Sequence, residues 1–121
     1  MKKIAIVEDD IAISQMYRMK FEVEGYEVET AENGKAGVAL VQEFHPDIVL
    51  MDLMMPEMNG DEALQQIRAE EWGKDLKVII LTNLGRQEAP AQLNELNVSA
   101  YVVKAEMTPK QVAELVEKTL S

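Results

Sequence analysis

The sequence predicts an α/β fold in which a parallel sheet is covered by helices on both faces. Three features lead there. Ile48-Val49-Leu50-Met51 is an uninterrupted apolar run bounded by turn signals, as a strand buried on both faces requires. Comparable runs recur near the N-terminus, at Leu76 to Leu81 and at Ala100 to Val103. Between them lie segments with apolar residues at helical spacing, joined by loops of a few residues, the pattern of repeated βα units.

In chain order, Lys3 to Val7 forms the first strand, ended by Glu8-Asp9-Asp10. Asp10 is suited to cap a first helix, in which Ile13, Tyr17 and Phe21 share a face and Gly25 supplies the stop. Tyr26 to Ala31 alternates with period two, which suits a strand at the sheet edge with one wetter face. Asn33-Gly34 makes a turn into a second helix marked by Ala36, Leu40, Val41 and Phe44, and His45-Pro46 ends it as a turn. The third strand, Asp47 to Met51, follows. Asn59 and Asp61 can cap a third helix with Ala63, Leu64 and Ile67 inward, closed by Trp72-Gly73. The fourth strand ends at Thr82. A fourth helix is expected over Gln87 to Leu96, with Pro90 tolerable only in its first turn. The fifth strand ends at Lys104, and Thr108-Pro109 caps a last helix through Val112, Leu115, Val116 and Leu120.

The 121 residues suit one domain, spanning 1–121, with no linker or repeat. Hydrophobic residues at 47% and charged residues at 28% are ordinary for a soluble globular chain. The apolar runs fall short of the ~20 residues that cross a bilayer, and the N-terminus lacks a signal-peptide core, so a cytoplasmic location is expected. Zero cysteines exclude a thiolate nucleophile and a cysteine zinc site. With 22 acidic against 12 basic residues, the net charge of −10 disfavours direct nucleic-acid binding.

Four strand ends carry Glu8/Asp9, Asp52, Thr82 and Lys104, and ligand sites of open α/β sheets form at such ends. Taken singly, Thr82 and Lys104 are ordinary strand ends and Glu8 is a solvated turn residue; their joint placement with Asp52 carries the inference. Carboxylates brought together need a counter-charge. With only oxygen ligands on offer, Mg²⁺ is preferred and Mn²⁺ tolerated. A phosphoryl oxygen typically completes such a shell, and the Lys104 ammonium and Thr82 hydroxyl suit the remaining phosphoryl oxygens. Asp52, central among them, is the candidate nucleophile, forming an acyl phosphate. Met51, Met54, Met55 and Met58 read as a soft apolar lining.

The motifs I-A-I-V-E-D-D at 4–10, D-I-V-L-M-D-L-M-M-P-x-M-N-G at 47–60, V-I-I-L-T at 78–82 and A-Y-V-V-K at 100–104 resemble the receiver domain of two-component response regulators. The resemblance runs from Lys2 through Leu120. It implies a flavodoxin-like (βα)5 three-layer sandwich of strand order 2-1-3-4-5, and Asp52 as acceptor of phosphoryl groups from a histidine kinase or phosphotransfer protein. It implies Mg²⁺ held by Asp9, Asp52 and the backbone carbonyl of Met54, with Glu8 reaching it through water. Lys104 pairs with the phosphoryl group, and Thr82 and Tyr101 form a switch: the hydroxyl moves to the phosphoryl and the ring turns inward. That movement reshapes the face of the fourth helix, fifth strand and fifth helix, where a downstream protein or an output domain is read. Three positions depart from the family pattern: Asn83 where a small residue is usual, Ala105 where a cis proline is usual, and Pro90 in the fourth helix.

Two rival functions keep the same fold features. A phosphohydrolase of the haloacid-dehalogenase type also places an aspartate nucleophile after a strand, but it carries a second aspartate two residues on, where this chain has Met54. A scaffold that binds partners without phosphorylation would not need the acidic pair, Thr82 and Lys104 together. A signalling receiver needs no separate substrate turnover. Apolar Met54 and Leu84 beside the site are expected to hinder water and give a long-lived acyl phosphate.

Overall fold

The computed structural model describes residues 1–121. Strands β1 (Lys3–Val7), β2 (Glu27–Ala31), β3 (Ile48–Met51), β4 (Lys77–Thr82) and β5 (Ala100–Val103) form one parallel sheet of order 2-1-3-4-5, as expected. Helices α1 (Ile11–Val23), α2 (Gly34–Phe44), α3 (Gly60–Ala69) and α4 (Pro109–Leu120) cover it. None is long and apolar enough to cross a membrane.

The strands read as continuous apolar runs because alternate residues serve two cores. Ala5, Val7, Val49, Met51, Val78 and Ile80 pack with Val41 of α2 and Leu64 and Ile67 of α3. Ile4, Ile6, Ile48, Leu50, Ile79 and Leu81 pack with Tyr17 and Phe21 of α1 and Val112 and Val116 of α4. A two-sided sheet therefore needs apolar residues at every central position. β2, on the edge, buries Val28 and leaves Glu27 and Glu29 exposed.

Register sets the level of the strand ends. Val7 stands opposite Met51, and Thr82 stands opposite Val103. The residues that follow Val7, Met51 and Val103 are Glu8, Asp52 and Lys104, so four functional candidates emerge at one edge of the sheet. Because β1 has β2 on one side and β3 on the other, the chain reverses direction of winding between β1 and β3, the position beside which ligand sites of open α/β sheets form.

The caps follow the sequence reading with one change. Asp10 Oδ1 accepts from the Ile13 N–H at 3.2 Å, and Thr108 Oγ1 from the Gln111 N–H at 3.2 Å. At α3 the cap is Asn59, whose N–H reaches Glu62 Oε1 at 3.3 Å. Asp61 does not cap; it is buried and accepts a hydrogen bond from the Gln92 side chain.

The fourth crossover is where the structure departs from expectation. No α-helix forms over 87–96; short 3-10 turns span Arg86–Glu88 and Ala91–Glu95. Ala89 and Pro90 between them are extended, at ψ 145° and 133°. Proline lacks the N–H a helix needs and pushes the residue before it out of helical conformation, so the helix is cut at its centre. Side chains do the fastening instead. Gln92 sits between Asp61 and Gln65 of α3, and Arg68 donates to the carbonyls of Gly73, Leu76, Leu96 and Asn97.

His45 is a turn residue, as read. It ends α2 in left-handed backbone at φ 52°, its N–H bonded to the Val41 carbonyl at 3.1 Å. An L side chain carries a steric cost there that glycine avoids, and the imidazole is exposed. His45→Gly is expected to raise unfolding free energy by about 0.5–1 kcal/mol in urea titration. A loss of stability would show that the imidazole itself contributes.

Candidate functional site

Asp52 follows β3 directly and is 6% exposed. Its own N–H still bonds across to the Val7 carbonyl at 3.0 Å, so the strand ladder fixes the backbone that carries the carboxylate. Oδ1 accepts from the N–H groups of Leu53 (2.7 Å) and Met54 (3.3 Å), and Oδ2 accepts from Lys104 Nζ at 3.0 Å. Both oxygens are held, and one lies against a cation.

Glu8 follows β1 in the same way, its N–H bonded to the Ala31 carbonyl at 2.9 Å. Its Oε2 accepts from the Asp10 N–H at 3.0 Å and its Oε1 from Lys104 Nζ. Burial pushes the Glu8 carboxyl up to about 7, against the lowering effect of the Lys104 and Asp10 hydrogen bonds; the nearby Asp52 charge adds to the rise. Burial alone pulls the Lys104 ammonium down, but its bonds to Glu8 and Asp52 outweigh that and raise it. Lys104 therefore stands charged between two buried carboxyls, within the acidic cluster and not across from it.

Asp9 is exposed beside them. Ligand oxygens of Glu8, Asp9 and Asp52 lie within 4.8 Å of one another. Three carboxylates against the single Lys104 ammonium leave an excess of negative charge, and every donor is a hard oxygen. This set fits a hard divalent cation such as Mg²⁺. Lys104 answers part of the repulsion on its own, so charge alone calls for a metal less strongly than the sequence suggested.

Thr82 is 1% exposed, and its Oγ1 accepts from the Leu84 N–H at 3.3 Å. Together with Asp52, Met54, Asn83, Leu84 and Lys104 it lines an open recess of about 300 Å³. Met54 is the exposed methionine of the loop; Met51 and Met55 are buried in the core and Met58 is partly buried, so only Met54 belongs to the recess. Tyr101 lies outside the recess lining. Its ring is half-buried against the core, and its phenol donates to the Leu84 carbonyl at 2.7 Å. The neighbouring face is built from 3-10 turns, β5 and α4, since the expected fourth helix is absent. The peptide bond after Lys104 is trans.

The structure thus brings Glu8, Asp9, Asp52 and Lys104 into contact range and places Thr82, Met54 and Leu84 around the same opening. Arg86, which binds the backbone of Tyr101, escaped the sequence reading. It carried no signal beyond that of a solvated loop charge.

Residues 4–117 match the family described as response regulator receiver domain. Among curated relatives, the DNA-binding dual master transcriptional regulator RpaA of Synechocystis is 35% identical over 104 residues, 86% of this chain and 43% of its own length. The regulatory protein AtoC of Escherichia coli is 34% identical over 102 residues, 84% of this chain and 22% of its own. The chain spans less than half the length of these relatives. Among solved structures, the chemotaxis protein CheY4 of Vibrio cholerae is 28% identical with a TM-score of 0.90, covering 99% of both chains. A CheY-like receiver domain protein from Methanospirillum hungatei is 30% identical with a TM-score of 0.88, covering 99% of this chain and 94% of its own.

Proposed function

The chain belongs to the response regulator receiver domain family of two-component systems, and from that premise we propose that Asp52 accepts a phosphoryl group from a histidine kinase or phosphotransfer protein. The observation that carries this is the fixed Asp52 carboxylate, held by two N–H groups and Lys104 in a recess that Thr82 also lines. A carboxylate oxygen of Asp52 attacks phosphorus; the new P–O bond forms as the bond to the donor nitrogen or oxygen breaks, and the leaving atom takes the electron pair.

The chain's own groups position and neutralise. The Leu53 and Met54 N–H groups keep the carboxylate from rotating away. Lys104, already within 3.0 Å of Asp52, is placed to follow the added charge. Thr82 turns its hydroxyl from the Leu84 N–H to a phosphoryl oxygen, and Tyr101 takes part in the resulting change of the face around β5. Mg²⁺, with Mn²⁺ tolerated, is to be held by Asp9, Asp52 and the Met54 carbonyl, with Glu8 acting through water; when bound it supplies charge neutralisation. No side chain two residues after Asp52 can donate a proton, which leaves a hydrolase without its acid. The readout is a downstream protein or a further domain, in a cytoplasmic phosphorelay.

The test is mass spectrometry of the protein after acetyl phosphate, with and without Mg²⁺, mapping the modified residue. Magnesium-dependent modification at Asp52 is expected. A different labelled residue overturns the assignment, and an unlabelled protein points to a phosphorylation-independent scaffold.

A further inference from the structure

The segment at the mouth of the recess is held by contacts that the phosphoacceptor chemistry does not require. Residues 83–99 cross from β4 to β5 without an α-helix, so no helical hydrogen-bond ladder stiffens them. Asn83 and Leu84, which open this crossover, line the recess beside Asp52 and Met54. Leu84 is tied down from β5 through the Tyr101 phenol, which donates to its carbonyl at 2.7 Å.

Tyr101 is itself held by Arg86. One guanidinium nitrogen donates to the Tyr101 carbonyl at 3.0 Å, and the guanidinium carbon lies 5.8 Å from the Tyr101 ring centroid. The other terminal nitrogen donates to Glu106 Oε1 at 3.0 Å. A single side chain thus spans the loop after Thr82, the strand that leads to Lys104 and the turn that follows it. The Arg86 and Glu106 side chains are 59% and 58% exposed, and an isolated pair of that kind contributes little to stability. The planar fork does more than pair charges, because carbonyl, ring and carboxylate fix it in three directions.

We propose that Arg86 is a positioning residue for the phosphoryl site: by fastening Tyr101 against Leu84 it fixes this apolar side chain at the mouth of the recess and prolongs the acyl phosphate. The inference rests on Asp52 being the phosphoacceptor. In hydrolysis a water oxygen attacks phosphorus, a new P–O bond forms, and the P–O bond to Asp52 breaks with its electron pair returning to the carboxylate. Inorganic phosphate leaves and the water protons pass to it and to solvent. A fixed Leu84 narrows the approach of that water, and a loose 83–85 loop widens it.

The experiment follows decay of the acetyl-phosphate-labelled protein, after removal of the donor, for the wild type, Arg86→Ala, Arg86→Lys, Tyr101→Phe and the Arg86→Ala/Tyr101→Phe pair. Arg86→Ala is expected to shorten the half-life at least about threefold, and Tyr101→Phe by a similar factor. The double variant is expected to decay no faster than the faster single one, because both changes release one contact chain. Arg86→Lys keeps the charge without the fork and is expected to recover less than half of the loss. In the unlabelled protein, amide exchange at residues 84–86 is expected to quicken in Arg86→Ala while that of β1 and β3 is unchanged. A labelled wild type whose lifetime matches that of Arg86→Ala overturns this proposal alone, as do effects of the two substitutions that multiply. A wild type that takes no label overturns the phosphoacceptor reading, and this one with it.

Discussion

Replacing Lys104 by methionine is expected to lower the unfolding free energy by about 3 kcal/mol and to make stability depend strongly on Mg²⁺. The Lys104 side chain is 12% exposed and bridges two carboxylates whose side chains are 5% and 7% exposed. Methionine keeps the apolar stem and removes the charged terminal nitrogen, leaving Glu8 and Asp52 buried together with no cation. Breaking a buried pair costs roughly 3–5 kcal/mol, and the low end applies here because Glu8, already pushed up to about 7 by burial, can take up a proton and relieve the repulsion. A divalent cation that binds only the folded state restores stability as its concentration rises. Asp52→Asn is the contrasting case. It removes one negative charge and leaves Glu8 and Lys104 as a balanced pair, so it is expected to fold within about 1 kcal/mol of the wild type while taking no label. Urea titrations of the three proteins, with and without Mg²⁺, decide this. Equal stability of Lys104→Met and wild type without metal would show that the bridge carries no folding energy.

That bridge was only half legible in the sequence. Each carboxylate stood out because it ended an apolar run, and a polar residue at the end of a doubly buried strand has few structural reasons to be there. That Lys104 lies between Glu8 and Asp52, 96 and 52 residues away in sequence, depends on register and on the lateral order of the strands. Periodicity shows where strands begin and end, but two-sided burial makes every central strand look alike. The order 2-1-3-4-5 came from resemblance and was then seen in the sheet.

The fourth crossover was misread for a related reason. Leu93 and Leu96 have helical spacing and do face the core, one buried and the other half-buried, but a 3-10 turn achieves the same burial. What decides between the two is Pro90 together with the Gln92 contacts to Asp61 and Gln65, which are 31 and 27 residues distant. Only the proline was visible in the sequence. Asp61 illustrates the same limit, since an aspartate beside Asn59 suits a cap, and nothing local shows that its partner lies in another crossover. Arg86 lay beyond reach altogether: a carbonyl, a ring and a carboxylate on other segments give its position meaning.

Gly60→Ala is expected to cost about 3 kcal/mol or more and to suppress labelling of Asp52. Gly60 opens α3, and its N–H bonds to the Leu53 carbonyl at 3.0 Å, which closes the loop that follows Asp52. A Cβ there would meet the Asp52 carbonyl oxygen at 2.0 Å and its carbon at 2.9 Å. These are backbone atoms with no rotamer to change, so relief requires the loop to shift. Such a shift moves the Leu53 and Met54 N–H groups that hold Asp52 Oδ1, and the site loses its geometry along with stability. Gly85→Ala provides the comparison: φ there is −64°, and the nearest atom to a new Cβ is the flexible end of Glu88 at 3.2 Å. It is expected to stay within about 0.5 kcal/mol of the wild type and to label normally. Should Gly60→Ala match Gly85→Ala in both urea midpoint and labelling, the close approach of α3 to the Asp52 carbonyl would be shown not to fix the loop after Asp52.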